Sequence, residues 1–417
     1  MNVEKSVENF LKGINESTKA YFVGSTLENP LEYKVGDEIV FKIRVKTADE
    51  YIDVPYISTE ISGDDGQASK GMIKKSDDGW FYISTNLERD GFVHVIARAC
   101  DSEQKAIPNI DIFEGGAGAD IEKIVCGTPV PEDYFEHWAW LKSEVEKVEP
   151  EVIYEKELFK DGYPDYRFFD MRIKVNESNY ASVIVSYPKN AKEGTLKLKM
   201  QYRGYGIGKI GEVLVAEDTM WIINNAHAIP NSESEEFYEQ LKKTENENKT
   251  DLYRYGFRED QNDDPKTAYW AKMFLRNLQA FRYFKNHPLL NKKDYIFAGG
   301  SQGAMQACNM AAHTPEATFC DMFVPWFCDL GARVNFKRLT GWFPEYQKGI
   351  TYYDTAVAGQ FVKCPVSFGA GLGDYVCPPS GQMALYNGIK TEKKLWFIQN
   401  KTHAYTPLEP ITYTVNY

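Results

Sequence analysis

A change of rhythm near residue 115 divides this chain into two kinds of structure. Before it, strand-like runs follow one another with turns and no helix between them. Glu38 to Val45, Trp80-Phe81-Tyr82-Ile83 and Phe92 to Ile96 are such runs, and Gly63-Asp64-Asp65-Gly66 and Ser76-Asp77-Asp78-Gly79 are the turns. Strands joined only by turns must pack sheet on sheet, so residues 16–126 are expected to form a small all-β sandwich of immunoglobulin-like type. Ahead of them Val3, Val7, Phe10, Leu11 and Ile14 recur at helical spacing and predict a short helix over 1–15. Gly115-Gly116-Ala117-Gly118 and Gly127-Thr128-Pro129-Val130-Pro131 read as the linker. A helix follows, with Tyr134, Trp138, Leu141 and Val145 on one face.

From there strands and helices alternate. Strands are predicted over 181–187, 195–202, 219–224, 295–298, 319–327, 365–370 and 395–399, and helices over 267–286 and 302–313. Such alternation builds a mostly parallel sheet covered by helices, so 127–417 is expected to be an α/β domain. Residues 231–266 are polar and acidic, and read as an irregular surface excursion near the mouth of a site, with no chemistry of their own.

Within the alternating half, Ala298-Gly299-Gly300-Ser301-Gln302-Gly303-Ala304 holds G-x-S-x-G directly after an apolar strand and directly before a helix. In that context the serine occupies a strained strand-to-helix turn, and the flanking glycines let strand and helix approach: the nucleophile elbow of an α/β-hydrolase fold. A serine hydroxyl needs a base, and the base needs an orienting acid. In this fold both follow the serine, each on a loop after a later strand. Asp374 follows the strand at 365–370 and His403 the strand at 395–399. His313 lies on the helix leaving the nucleophile, so His403 remains as base; Asp321 and Asp329 are the alternatives to Asp374. The oxyanion needs two backbone N–H donors, expected from Gln302 and, on the glycine-containing loop Tyr202-Arg203-Gly204-Tyr205-Gly206, from Tyr205. His227 is a candidate substrate contact, whereas His94, His137 and His287 read as structural.

The remaining features exclude other classes. A net charge of −12 argues against nucleic acid or an anionic membrane as partner. The seven cysteines form no CxxC, and no His, Cys or carboxylate cluster has metal-ligand spacing, so no metal or cofactor is expected. No secretory leader or run of eighteen apolar residues is present, which predicts a cytoplasmic protein unless a signal peptide was removed ahead of Met1.

The residues also resemble carbohydrate esterase family 7, the acetyl xylan esterases and cephalosporin C deacetylases. The similarity covers roughly 130–417, through Pro131-Glu132-Asp133-Tyr134-Phe135-Glu136-His137-Trp138, Gly204-Tyr205-Gly206, Gly299-Gly300-Ser301-Gln302-Gly303 and, most specifically, Gly371-Leu372-Gly373-Asp374-Tyr375-Val376-Cys377-Pro378-Pro379-Ser380. It implies Ser301, Asp374 and His403 as triad, Tyr205 and Gln302 as oxyanion donors, and a small acetylated carbohydrate as substrate. Two departures stand out. Asn224-Asn225-Ala226 replaces the family's Arg-Gly-Gln, and Ala404 replaces the Glu after the histidine; whether the chain forms the family's ring-shaped homo-oligomer is left open. The expected activity is removal of acetyl groups from (xylo-)oligosaccharides through an acyl-enzyme. The alternatives are a serine peptidase of the prolyl-oligopeptidase type and a carbohydrate-binding protein with an inactive hydrolase domain. The sandwich carries no nucleophile–base pair and is expected to serve assembly or shape the site mouth, so that a fragment starting near Gly127 keeps small-ester activity.

Overall fold

The computed structural model of the chain describes residues 20–417, so the helix expected over 1–15 lies outside the described residues. Seven strands come first: β1 (Tyr21–Thr26), β2 (Ile39–Lys46), β3 (Tyr56–Gly63), β4 (Ala68–Lys74), β5 (Phe81–Thr85), β6 (Gly91–Cys100) and β7 (Phe113–Ala119). They form a three-stranded sheet in the order β1-β2-β5 and a four-stranded sheet in the order β4-β3-β6-β7. Period-two alternation explains why they face each other. Ile39, Phe41, Ile43 and Val45 of β2 point inward and share one core with Ile57 of β3 and Val93, Val95 and Ala97 of β6.

The glycine run at 115–118 corrects the sequence reading. It is not linker but the body of β7, laddered antiparallel to β6 from Gly91–Ala119 to Ala97–Phe113. Glycines suggest a break because they lack side chains to pack. Here the missing side chains let other backbone approach, as described below.

The helix α1 (Tyr134–Glu146) opens the second half and buries Tyr134, Trp138, Leu141 and Val145. A ten-stranded sheet follows, with β8 (Val152–Leu158), β9 (Tyr166–Lys174), β10 (Tyr180–Pro188), β11 (Leu196–Tyr202), β12 (Thr219–Asn224), β13 (Leu290–Gly300), β14 (Phe319–Phe323), β15 (Val366–Gly371), β16 (Lys393–Ile398) and β17 (Thr412–Thr414). Their spatial order is β17-β16-β15-β14-β13-β11-β12-β10-β9-β8. The six strands from β12 to β16 in this order run parallel, and β10, β9, β8 and β17 add antiparallel margins. The sequence pattern missed β8 because its residues are mostly exposed and leave no apolar stripe to read. Strand β14 stops at Phe323, short of the expected 327. Val324, Phe327 and Asp329 adopt positive φ, which ends an extended run.

Residues 231–266 are also more ordered than expected. They include the helix α2 (Glu235–Asn248), whose cap Ser234 accepts from the Phe237 amide at 3.3 Å. Only Tyr238 of that helix is buried, so its sequence carries little helical periodicity. The helices α3 (Tyr269–Phe284) and α4 (Gln302–His313) agree with expectation. No helix among the described residues is long and apolar enough to cross a membrane, and all seven cysteines are unpaired.

Parallel register is what assembles the site. Tyr202 pairs with Gly299, Gly300 with Phe323, Phe323 with Gly369 and Gly371 with Ile398. The carboxyl ends of β11, β13, β15 and β16 are therefore level, and the loops bearing Tyr205, Ser301, Asp374 and His403 leave the same sheet edge.

Candidate functional site

Ser301 joins β13 to α4 at φ 55°, ψ −123°, a backbone region that a non-glycine residue adopts only under constraint. Its amide donates to the Phe323 carbonyl at 2.9 Å, and its carbonyl accepts from Ala304 at 2.9 Å. The neighbouring glycines are required by contact. A Cβ on Gly299 would lie 2.3 Å from the Gly303 carbonyl carbon, and one on Gly303 would lie 2.1 Å from the Tyr202 carbonyl oxygen. Helix α4 thus sits directly on the ends of β11 and β13.

Asp374 and His403 meet two loops away. His403 Nδ1 lies 2.9 Å from Asp374 Oδ2. The carboxylate is fully buried, and its other oxygen accepts from the amides of Val376 at 3.0 Å and Cys377 at 2.9 Å. Oδ2 is thereby directed to the imidazole, which fixes the proton on Nδ1 and leaves Nε2 as an acceptor. His403 keeps a partly open side chain. The neighbouring Lys401 turns its ammonium onto the His403 carbonyl at 3.2 Å, and burial brings its pKa down to about 8. The alternatives to Asp374 are engaged elsewhere. Asp321 pairs with Lys199 at 3.0 Å, and Asp329 accepts from the amides of Gly127 and Thr128.

Cys377 is an addition that sequence reasoning did not weigh. Its buried thiol lies 3.7 Å from His403 Nδ1 and faces the Ser301 hydroxyl, and burial raises its pKa well above the usual thiol range. Asp374, Cys377 and His403 place ligand-type atoms within 4.8 Å of one another. The 2.9 Å carboxylate–imidazole approach is that of a hydrogen-bonded pair.

The two expected oxyanion donors are tied together. The Gln302 amide opens α4, where first-turn N–H groups have no helical partner. The Tyr205 loop passes over the elbow, with the Arg203 carbonyl accepting from Gln306 Nε2 at 3.1 Å. Tyr255 bridges the two. Its hydroxyl accepts from the Gly206 amide at 2.7 Å and donates to Gln302 Oε1 at 3.1 Å, while its ring stacks on Tyr205 at 4.2 Å. His227 holds the other backbone group of Gly206. Its Nε2 donates to the Gly206 carbonyl at 3.1 Å and its Nδ1 accepts from Tyr269 at 2.6 Å. Burial first, then the Arg276 charge, lowers its pKa to about 3, so the ring is neutral. With both nitrogens engaged and no exposure, His227 braces the loop; the expectation of substrate contact finds no open face on it. Tyr255 lies in the excursion that had been assigned no chemistry. The signal was there in Tyr253, Tyr255 and Phe257, aromatics at alternate positions in a polar stretch.

The family described as acetyl xylan esterase (AXE1) matches residues 119–410. The chain belongs to the acetyl xylan esterase family. Among curated proteins it is similar to the acetyl esterase Axe7A of Xylanibacter ruminicola, 28% identical over 151 residues, and that match spans 34% of each chain. It therefore covers about a third of the relative's length. Among solved structures it is similar to an acetyl xylan esterase from Paenibacillus sp. R4, with TM-score 0.55 and 15% identity over 68% of this chain and 93% of that one. Acetyl xylan esterase 1 from Thermoanaerobacterium sp. JW/SL YS485 gives TM-score 0.54 and 18% identity, covering 69% and 93%. At such identities the likeness establishes the fold, an α/β-hydrolase carrying additional N-terminal all-β sheets. Membership places the chain among carboxylic ester hydrolases.

Proposed function

We propose that this chain removes acetyl groups from acetylated neutral sugars, xylo-oligosaccharides foremost, by serine catalysis through an acyl-enzyme. The observation that carries the reading is the pairing of buried Asp374 with the partly open His403, 2.9 Å apart, on loops level with the strained Ser301 turn. Ser301 Oγ attacks the acetyl carbonyl while His403 Nε2 takes its proton, and the tetrahedral oxyanion is held by the amides of Tyr205 and Gln302. His403 then returns the proton to the departing sugar oxygen. Water, deprotonated by the same imidazole, attacks the acyl-enzyme and releases acetate.

Surroundings of the site support a neutral acyl group. Arg203, a cation on the oxyanion loop, donates to the Gly208 carbonyl at 2.8 Å and pairs with Glu212 at 3.7 Å. An anionic acyl part would forgo a charge-assisted hydrogen bond of about 1.5–3 kcal/mol. Trp342, 45% exposed, stands edge-on to Tyr205 at 4.7 Å, an aromatic face suited to a sugar ring. Competition among acetylated xylo-oligosaccharides, a butyryl ester and a glucuronate methyl ester tests the assignment. Acetylated sugars are expected to show the highest kcat/KM, each added acyl methylene costing about 1–3 kcal/mol. A higher kcat/KM on the glucuronate ester would overturn the acetyl assignment. For the N-terminal unit we propose an immunoglobulin-like relationship, which the three-plus-four strand order supports.

A further inference from the structure

We infer that the N-terminal sheets are a working part of the active site: strands β6 and β7 position the loops that carry Asp374 and His403. This rests on the proposed roles of those two residues. Strand β7 is the last of its sheet; Gly118 donates to the Pro30 carbonyl on its outer side, and the outer backbone groups of Glu114 and Gly116 have no strand partner. Side-chain amides from the histidine loop take that place. Gln399, fully buried, accepts from the Gly116 amide at 3.0 Å and donates to the Gly116 carbonyl at 2.9 Å, as a neighbouring peptide would. Asn400 accepts from the Glu114 amide at 2.8 Å and donates to the Phe22 carbonyl at 3.4 Å. These two residues directly follow β16 and stand three and four positions before His403.

The acid loop leans on the same strip. A Cβ on Gly373 would lie 1.8 Å from the Glu114 carbonyl oxygen, and one on Gly116 would lie 2.7 Å from the Leu372 carbonyl oxygen. Backbone meets backbone at Gly116, while Gly115 leaves room for the Gln399 side chain and Gly118 for those of Ile121 and Phe92, which is why β7 is glycine-rich. Tyr375, next to the acid, stacks on His94 of β6 with ring centroids 3.6 Å apart, and His94 Nε2 lies 2.9 Å from Glu114 Oε1. The two loops are also joined, the Gly373 amide donating to the Lys401 carbonyl at 3.1 Å and the Leu372 amide to the Ile398 carbonyl at 3.0 Å. Any shift of β7 therefore moves acid and base together relative to Ser301, which β13 and the Phe323 carbonyl hold separately. Sheets serving only assembly or the site mouth do not explain these contacts. On this inference a fragment from Gly127, expected from the sequence to keep small-ester activity, would lose the support of both loops.

The test uses the full chain and p-nitrophenyl acetate. His94→Ala removes the ring that backs Tyr375, and Gln399→Leu removes both bonds to Gly116 at similar volume. Each is expected to lower kcat about 10-fold or more, with KM changed less than about two-fold. Each should slow, to a similar degree, covalent labelling of Ser301 by an organophosphate without lowering the final number of labelled sites. His94→Phe, which keeps the stacked ring, should restore kcat. Wild-type kcat and labelling rate in both variants would overturn the inference. So would a kcat loss that only matches a fall in labelled sites and is not rescued by His94→Phe, because that is a folding defect. If Gln399→Leu does not fold, the His94 pair decides alone. Failure of the underlying reading is separate and shows as retained activity in Ser301→Ala.

Discussion

Ser301 is held at φ 55°, a conformation that costs a non-glycine residue about 1–3 kcal/mol and persists only where neighbours over-determine it. At a strand-to-helix turn of this kind the strain exposes the hydroxyl at the sheet edge. The proton transfer proposed for Ser301, His403 and Asp374 acts as a unit. Ser301→Ala is expected to lower kcat at least about 1,000-fold, with residual turnover from the oxyanion donors, and His403→Ala to cost about as much. Asp374→Asn should also lower kcat, but by less than either, since it disturbs the tautomer and orientation of the imidazole and leaves the imidazole in place. Steady-state kinetics on p-nitrophenyl acetate, with circular dichroism to confirm folding, checks the order. Near-normal turnover by folded Ser301→Ala would rule out the serine mechanism.

Between elements, the two proposed oxyanion donors come from structures nearly a hundred residues apart, the loop after β11 and the start of α4. Among the described residues two side chains join them: Gln306 of α4 donates to the Arg203 carbonyl, and Tyr255, from neither element, touches both the Gly206 amide and Gln302 Oε1. Its hydroxyl is buried, so Tyr255→Phe leaves two polar groups unpaired at a cost of about 1–3 kcal/mol. Because that cost falls on the spacing of the donors, kcat is expected to drop about 5- to 100-fold with KM little changed. Initial rates across p-nitrophenyl acetate concentrations separate the two parameters. An effect confined to KM would mean that Tyr255 serves substrate binding and not donor alignment.

At the scale of the whole molecule, buried ionisable groups join the two halves. Asp64, on the turn after β3, accepts from the Phe92 amide at 2.8 Å and the Leu339 amide at 2.9 Å, and burial raises its pKa to about 6. Arg338, next to Leu339, pairs with Asp90 at 2.7 Å. Asp329, raised to about 7 by burial and then by the Asp354 charge, anchors the segment leading into α1. A carboxyl whose pKa is higher folded than unfolded (about 3.9) binds more protons in the native state, so its contribution falls as pH rises from about 4 to 7. Buried histidines oppose this. His137, lowered to about 4, and His227, lowered to about 3, bind fewer protons folded than unfolded, so they add stability as pH rises toward about 6.5. The two sets offset each other in the wild type, and the informative quantity is a difference. The Tm of Asp329→Asn minus that of wild type should move in favour of the variant from pH 4 to 7 and level off above. Thermal melts in half-unit steps read it, and a difference independent of pH would contradict a titrating Asp329.

Much of this was legible in linear order because it depends on local chemistry. Turn residues, period-two and period-3.6 apolar spacing and the G-x-S-x-G context act within a few residues, so β12, α4, the elbow at Ser301 and the loops of Asp374 and His403 could be placed from the sequence. Segments without a buried stripe, β8 and α2, left no such trace. The glycines of β7 pointed the wrong way, because a missing side chain looks alike whether the chain bends there or receives another backbone. Only the fold decided that Tyr255 and His227 grip the backbone of one residue, Gly206, that Cys377 faces the serine, and that Gln399 and Asn400 complete an edge strand more than 280 residues earlier. Those partners are set by the level ends of parallel strands and by the packing of one sheet edge on another, distances in space that no spacing along the chain encodes.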